Sequence, residues 1–285
     1  MRLLSPAKIN LFLYVTGKRE DGYHDLYTLM CPVSLQDIVE LDFSAAAVCV
    51  RCVHPDVPEN ETNLAHRAAK LFFKCLGASR GNLPQGVEIS ITKKIPVAAG
   101  LGGGSSNAAT VLTGMNRHFS TPFSTDDLER MGLTIGADVP FFIQGKPAVA
   151  TGVGEVLAPV ECLPAFYVLL VNPGVPVSTA EVYKNLNLGL TNNPKINKEP
   201  FFRVRNIDPV RYLWNDLEKV TASKFPVIQT IKEALLANGA EGALMTGSGP
   251  TVFGLFYDVK KARQASHVLS RHENWRVFLA EAIRE

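Results

Sequence analysis

The sequence of 285 residues has no excess of charge of either sign, since 29 Lys and Arg stand against 27 Asp and Glu for a formal +2. So close a balance argues against a nucleic-acid or membrane-surface partner, and any basic patch for an anionic ligand must be local. No apolar run reaches the roughly 18 residues that a membrane span needs. Lys8 and Asn10 interrupt the one apolar stretch near the start, so no secretory leader is expected. Cysteine is sparse and odd in number, with five residues at 31, 49, 52, 75 and 162. That excludes a disulfide framework. Cys49-x-x-Cys52 has no second pair and lies in the strand-like run Ala47–Val53, so it reads as structural rather than as a zinc or redox site. A reducing, cytoplasmic setting is the expectation. The chain also lacks internal repeats and low-complexity tracts.

What is present is an ordinary globular balance, 46% apolar and 20% charged, with length for one large or two modest domains. The pattern centres on Pro96, Val97, Ala98, Ala99, Gly100, Leu101, Gly102, Gly103, Gly104, Ser105, Ser106 and Asn107. Before this run, Val87, Ile89 and Ile91 alternate with Glu88, Ser90 and Thr92, as in a strand. After it, Ala108, Ala109, Val111, Leu112 and Met115 follow helical spacing. Strand, glycine loop and helix start form a phosphate cradle. Glycine permits positive φ and close approach of an anion, and the free N–H groups of a helix N-terminus favour negative charge. Ser105, Ser106 and Asn107 are read as caps of that helix. The loop is not a P-loop, because no Lys follows its glycines, and Ser105 or Asn107 falls where the dinucleotide fingerprint needs Gly or Ala.

Elsewhere, residues 2–16 read as a strand in which Lys8 and Asn10 face away from Ile9, Leu11, Leu13 and Val15; by itself such a Lys is solvated. Asp21-Gly22 marks a turn, and Tyr23 and His24 leave it. Residues 35–53 read as strands, and Thr62-Asn63-Leu64 opens a helix. Ser124-x-x-Asp127 is a capping box. Asp138 is a single carboxylate in the apolar run Ile135–Phe142, read either as a cap or as a base. Gly152, Gly154, Pro159 and Pro164 mark a boundary. Beyond it come a buried strand (166–171), a short helix (178–186) carrying Tyr183, and a polar loop (187–200). Helices follow, ending near Asn238-Gly239, then a second glycine-hydroxyl loop, Leu244–Gly254, and a closing helix and strand. The second loop is not a Gly-x-Ser-x-Gly elbow, because Thr246 stands at the first Gly position.

The run Pro96–Ala109 resembles the second motif of the GHMP kinases. Pro6-Ala7-Lys8-Ile9-Asn10-Leu11 resembles their first motif and Leu244–Gly254 their third. Asp21-Gly22-Tyr23-His24 and Gly136–Phe142 resemble one branch, the 4-diphosphocytidyl-2-C-methyl-D-erythritol kinases. Five segments in family order cover nearly the whole chain. The resemblance implies an α+β fold of two domains meeting at a cleft, the first like a domain of ribosomal protein S5, expected here as 1–155 and 156–285. It implies transfer of the ATP γ-phosphoryl group, with Mg²⁺, to the 2-hydroxyl of the cytidyl substrate. Lys8 and Asp138 take the catalytic roles, and Pro96–Ser106, Asn63, Leu64 and Lys93 hold ATP. Asn10, Tyr23, His24, Thr179 and Tyr183 hold the substrate, Tyr183 replacing a more usual Phe. Ser106 is a candidate Mg²⁺ partner. Two rivals are a sister kinase of homoserine or mevalonate, which should lack Asp-Gly-Tyr-His, and an S5-like RNA-binding module, which predicts a basic surface.

Overall fold

The computed structural model describes residues 1–80, 86–161, 163–187 and 208–284; most of the polar loop expected at 187–200 lies outside them, as does Cys162. Packing divides the chain into two compact units that are not separated by one cut. The first comprises Met1–Ala7, Gln36–Val97 and Gly102–Gly145, and the second Lys8–Leu35, Ala98–Leu101 and Lys146–Glu285. Two long strands, β1 (Arg2–Lys18) and β2 (His24–Asp42), each contribute residues to both.

In the first unit, Ile38–Asp42 of β2 pairs antiparallel with β4 (Val87–Thr92), and β3 (Val48–Arg51) runs parallel to β4. Alternation buries Val39 and Leu41 on β2 and Val87, Ile89 and Ile91 on β4. Helix α1 (Leu64–Arg80) packs on β3 and β4, and α2 (Gly103–His118) packs on α1. Helix α3 (Thr125–Ile135) begins with the expected box: Asp127 N–H donates to Ser124 Oγ at 3.2 Å, and Ser124 N–H to Asp127 Oδ2 at 3.0 Å. Helix α4 (Val139–Gln144) follows, with Val139, Pro140, Phe141 and Phe142 buried.

In the second unit, Leu26–Met30 of β2 pairs with β5 (Ala148–Gly152), which pairs with β6 (Val156–Pro159). The first part of the stretch 152–164, where a boundary is expected, thus belongs to a hairpin that turns where Gly154 has φ 112°. A four-stranded antiparallel sheet runs β11 (Arg276–Glu281), β7 (Tyr167–Asn172), β10 (Val252–Phe256), β9 (Gly242–Met245). Helices α7 (Val227–Ala237) and α8 (Val259–Leu269) pack on it, burying Ile228, Ile231, Leu235, Ala262, Ala265 and Leu269. Short helices α5 (Thr179–Lys184) and α6 (Glu218–Lys224) complete this unit. The two-residue strand β8 (Trp214–Asn215) lies parallel to β1 at Phe12 and Leu13. Cys31 is wholly buried, which pushes its thiol up to about 12.

Candidate active site

The glycine loop leads from β4 into α2 as expected, but its first turn is built differently. Gly102 is the N-cap, left-handed at φ 70°, and no side chain caps α2. Ser105, Ser106 and Asn107 are therefore not caps. They sit within the first turns, where Ser106 N–H already bonds Gly102 O at 2.9 Å. Positive φ is confined in this loop to Ala98, Gly100 and Gly102, whereas Gly103 and Gly104 are helical. At Gly103 a Cβ would lie 3.1 Å from both Ile95 Cγ2 and Lys93 Nζ. Gly104 is exposed, and its Cβ would meet only Leu64 at an ordinary 3.5 Å.

Behind that turn stands a carboxylate that the sequence reading did not single out. Asp37 has no exposure and accepts from Lys94 N–H at 2.7 Å, Ile95 N–H at 2.9 Å and Asn107 Nδ2 at 3.0 Å, and it forms an ion pair with Lys93. Asn107 Nδ2 also donates to Ser5 Oγ at 2.9 Å, and Ser5 Oγ lies 2.8 Å from Ser106 Oγ. One local signal existed. Asp37 shares strand parity with the buried Val39 and Leu41. Nearby, Asn63 caps α1, its Oδ1 accepting from Ala65 N–H at 2.9 Å, while Leu64 is half-buried. Asp138 stands at the N-cap of α4, half-buried, and its carboxylate does not cap that helix. The capping alternative for Asp138 is thereby removed.

In the second unit, Lys8 is 5% exposed, so the solvated reading fails. Both faces of β1 are covered over Ala7–Leu13, and the ammonium satisfies itself on Asn10 Oδ1 at 2.7 Å. Lys8 N–H bonds Leu101 O at 3.0 Å. Asn10 is held from several sides: Nδ2 donates to Thr28 Oγ1 at 2.9 Å, and its N–H donates to Thr246 Oγ1 at 3.0 Å. The loop between β9 and β10 brings Thr246 there and packs tightly on the first loop. A Cβ at Gly100 would sit 2.3 Å from Thr246 O. Asn215 Nδ2 braces this second loop through Met245 O and Gly247 O, both at 2.8 Å, and Thr221 Oγ1 donates to Ser248 O at 3.0 Å. Ser248 Oγ in turn meets Thr179 Oγ1 at 2.8 Å. These braces join residues at least 27 apart in sequence, beyond the reach of local pattern.

At the turn after β1, Gly22 has φ 87° and Asp21 Oδ1 accepts from Tyr23 N–H at 3.0 Å. This leaves Tyr23 64% exposed. His24 stacks on Tyr183 with centroids 5.1 Å apart and planes 28° from parallel. Burial first and the Lys18 charge second hold the imidazole below its usual pKa, so it is neutral at pH 7.

Among the described residues no cluster of three or more His, Cys, Asp or Glu could hold a metal, and no helix is long and apolar enough to cross a membrane.

Two family models match this chain: the GHMP kinases N terminal domain over residues 63–146 and the GHMP kinases C terminal domain over 206–274. A 4-diphosphocytidyl-2-C-methyl-D-erythritol kinase of Syntrophus aciditrophicus is 47% identical over 99% of each chain. The same-named protein of Syntrophotalea carbinolica is 48% identical, also over 99% of each. A crystal structure of 4-(cytidine 5'-diphospho)-2C-methyl-D-erythritol kinase superposes with TM-score 0.82 at 35% identity, covering 99% of both. A homoserine kinase from Cytophaga hutchinsonii, at 17% identity and TM-score 0.72, shares the fold alone. With two-domain α+β architecture, motif order and identity along its whole length in agreement, the chain belongs to the GHMP kinases, in the 4-diphosphocytidyl-2-C-methyl-D-erythritol kinase family.

Proposed function

We propose that this protein is an ATP-dependent kinase that phosphorylates the 2-hydroxyl of 4-diphosphocytidyl-2-C-methyl-D-erythritol in isoprenoid precursor synthesis. Residues 1–155 supply the ATP-binding domain and 156–285 the C-terminal one. The observation that carries the substrate class is the stack of His24 on Tyr183 beside the exposed Tyr23. The His24–Tyr183 pair forms an aromatic platform suited to the flat cytosine base, and the acceptor of a homoserine or mevalonate kinase has no such base to stack. The near-neutral chain gives no support to an RNA-binding module.

Phosphoryl transfer asks the protein mainly for positioning and charge stabilisation. In this reading Pro96–Ser106 cradle the ATP phosphates at the uncapped N-terminus of α2. Asn63, Leu64 and Lys93 border the adenine. Asn10 and Thr179 hydrogen-bond the substrate, and His24 reads the cytosine edge while Tyr23 and Tyr183 stack on its faces. Asp138 accepts the hydroxyl proton, and Lys8, aimed by Asn10, stabilises the charge on the transferring group. Mg²⁺ takes much of its shell from phosphate oxygens and water. Ser106 would offer a hydroxyl oxygen, but its side chain has no exposure and meets Ser5 Oγ at 2.8 Å, so that oxygen would have to be uncovered first. When bound, the ion neutralises phosphate charge. ADP release, measured with the cytidyl substrate, mevalonate or homoserine as acceptor, tests the assignment. Turnover only with the cytidyl acceptor is expected, and equal turnover with either of the others overturns it.

A further inference from the structure

Asp37 is a buried carboxylate for which the proposed reaction has no direct use. It lies on β2, on the face shared with Val39 and Leu41, and has no exposure. An isolated carboxylate there would be prohibitively costly, and Asp37 is instead saturated with donors. One oxygen takes the N–H groups of Lys94 and Ile95; the other takes Lys93 Nζ and Asn107 Nδ2. Every one of these donors lies just before or just inside the glycine-loop segment. The two backbone bonds fix the exit of β4. The two side-chain bonds fix Lys93 and the second turn of α2.

The connectivity also settles orientations. Asp37, acting as an acceptor, turns the amide of Asn107 so that Nδ2 faces Asp37 and Ser5. Asn107 Oδ1 is then left toward the Lys93 ammonium, at 3.4 Å. Ser5 passes the constraint on to Ser106, whose hydroxyl lies 2.8 Å away. Lys93, with two of its three N–H donors committed, is held against the start of α2, 3.1 Å from where a Gly103 Cβ would stand. A flexible four-carbon ammonium is thereby given one position.

We propose that Asp37 is a positioning residue for the nucleotide: through Lys93 on one side and Asn107, Ser5 and Ser106 on the other, it holds the first turns of α2 in the arrangement ATP requires. The inference rests on the nucleotide reading given above. It makes Ser5 the second member of the same device.

The test uses the full chain carrying Asp37→Asn and, separately, Ser5→Ala. Asn keeps one acceptor for the two backbone N–H groups but presents its own N–H₂ to Lys93 and Asn107. The expected result is an ATP KM raised about tenfold, as for loss of a charge-assisted bond, with kcat within about threefold and the cytidyl KM unchanged. Ser5→Ala should move the same constant by about threefold. Loss of fold alone would lower kcat and leave both KM values in place. Because breaking a buried ion pair threatens the fold, Ser5→Ala decides the matter if Asp37→Asn fails to fold. An unchanged ATP KM in a folded variant, or equal increases in both KM values, overturns the inference. Titration with a fluorescent ATP analogue separates the two levels. If the unmodified protein does not bind it, the nucleotide reading falls; if the unmodified protein and Asp37→Asn bind it equally, only the role of Asp37 falls.

Discussion

His24 and Tyr183 lie 159 residues apart in sequence, yet their rings stack at 5.1 Å and 28°. A base added to this platform gains stacking on a surface already ordered, so little further entropy is lost. Tyr183→Ala should raise the cytidyl KM by roughly 5- to 150-fold, from about 1–3 kcal/mol per stacked ring, and leave the ATP KM within twofold. Tyr23→Ala should act in the same direction. Steady-state kinetics with each substrate varied in turn makes the check; movement of the ATP constant alone would place these rings with the nucleotide.

The same pair carries a pH prediction. Burial and Lys18 lower the His24 pKa, so the ring is neutral above the ordinary histidine value of about 6.5 and charges only below it. Protonation removes the acceptor nitrogen that would face the cytosine amino group. Affinity for the cytidyl substrate is thus fully present at neutral pH and lost as pH falls through the lowered pKa. A plot of kcat/KM for that substrate should stay level down to about pH 6.5 and break beneath it. His24→Gln should erase that break. A break above pH 7, or one that survives the substitution, would assign the titration to another group.

Asp138 and Lys8 differ in what their removal should do. The Asp138 carboxylate does not cap α4, so Asp138→Asn should leave that helix in place. Loss of a general base should still lower kcat by roughly 10²- to 10⁴-fold. Lys8 is buried and bonded to Asn10, so Lys8→Met removes a donor as well as a charge and should cost both rate and stability. If both residues serve the transferring group, the double variant should lose less than the product of the single losses. Rate assays paired with thermal melts would show this, and an Asp138→Asn enzyme within a few-fold of the original would make the carboxylate structural.

Much of the fold was readable because it is written locally. The period-2 alternation of Val87, Ile89 and Ile91, the Ser124–Asp127 box and the short helix carrying Tyr183 each depend on a few adjacent residues, and each is present. What escaped depends on the other side of the contact. Alternation identifies β1 as a strand but cannot reveal that both its faces are covered, so Lys8 reads as solvated when it is buried. Glycines and prolines between 152 and 164 mark a chain turn locally, but only the backbone pairing shows that 148–159 closes into the β5–β6 hairpin. The serines and Asn107 looked like caps by composition. The partners of Ser106 and Asn107, Ser5 and Asp37, lie 70 or more residues upstream, and only the tertiary structure brings them together.

Gly104 offers a probe of the phosphate cradle whose two readouts should move in opposite directions. Gly103 is the poorer choice, since a Cβ there would press on Ile95 and Lys93 at 3.1 Å and disturb the protein whether or not a nucleotide binds. Gly104 is exposed, has helical backbone in the first turn of α2, and would place its Cβ in ordinary contact with Leu64 at 3.5 Å. In the free protein Gly104→Ala should therefore be neutral or stabilising, by up to about 1 kcal/mol for Ala over Gly in a helix. If phosphate or ribose approaches the backbone at this turn, the added methyl occupies that space and affinity should fall by tenfold or more, about 1.4 kcal/mol. A thermal melt without ligand and a titration with a fluorescent ATP analogue make the comparison. Raised or equal stability with weakened binding places the nucleotide against the turn. A variant that binds as tightly as the original would place the phosphates elsewhere, whatever its stability.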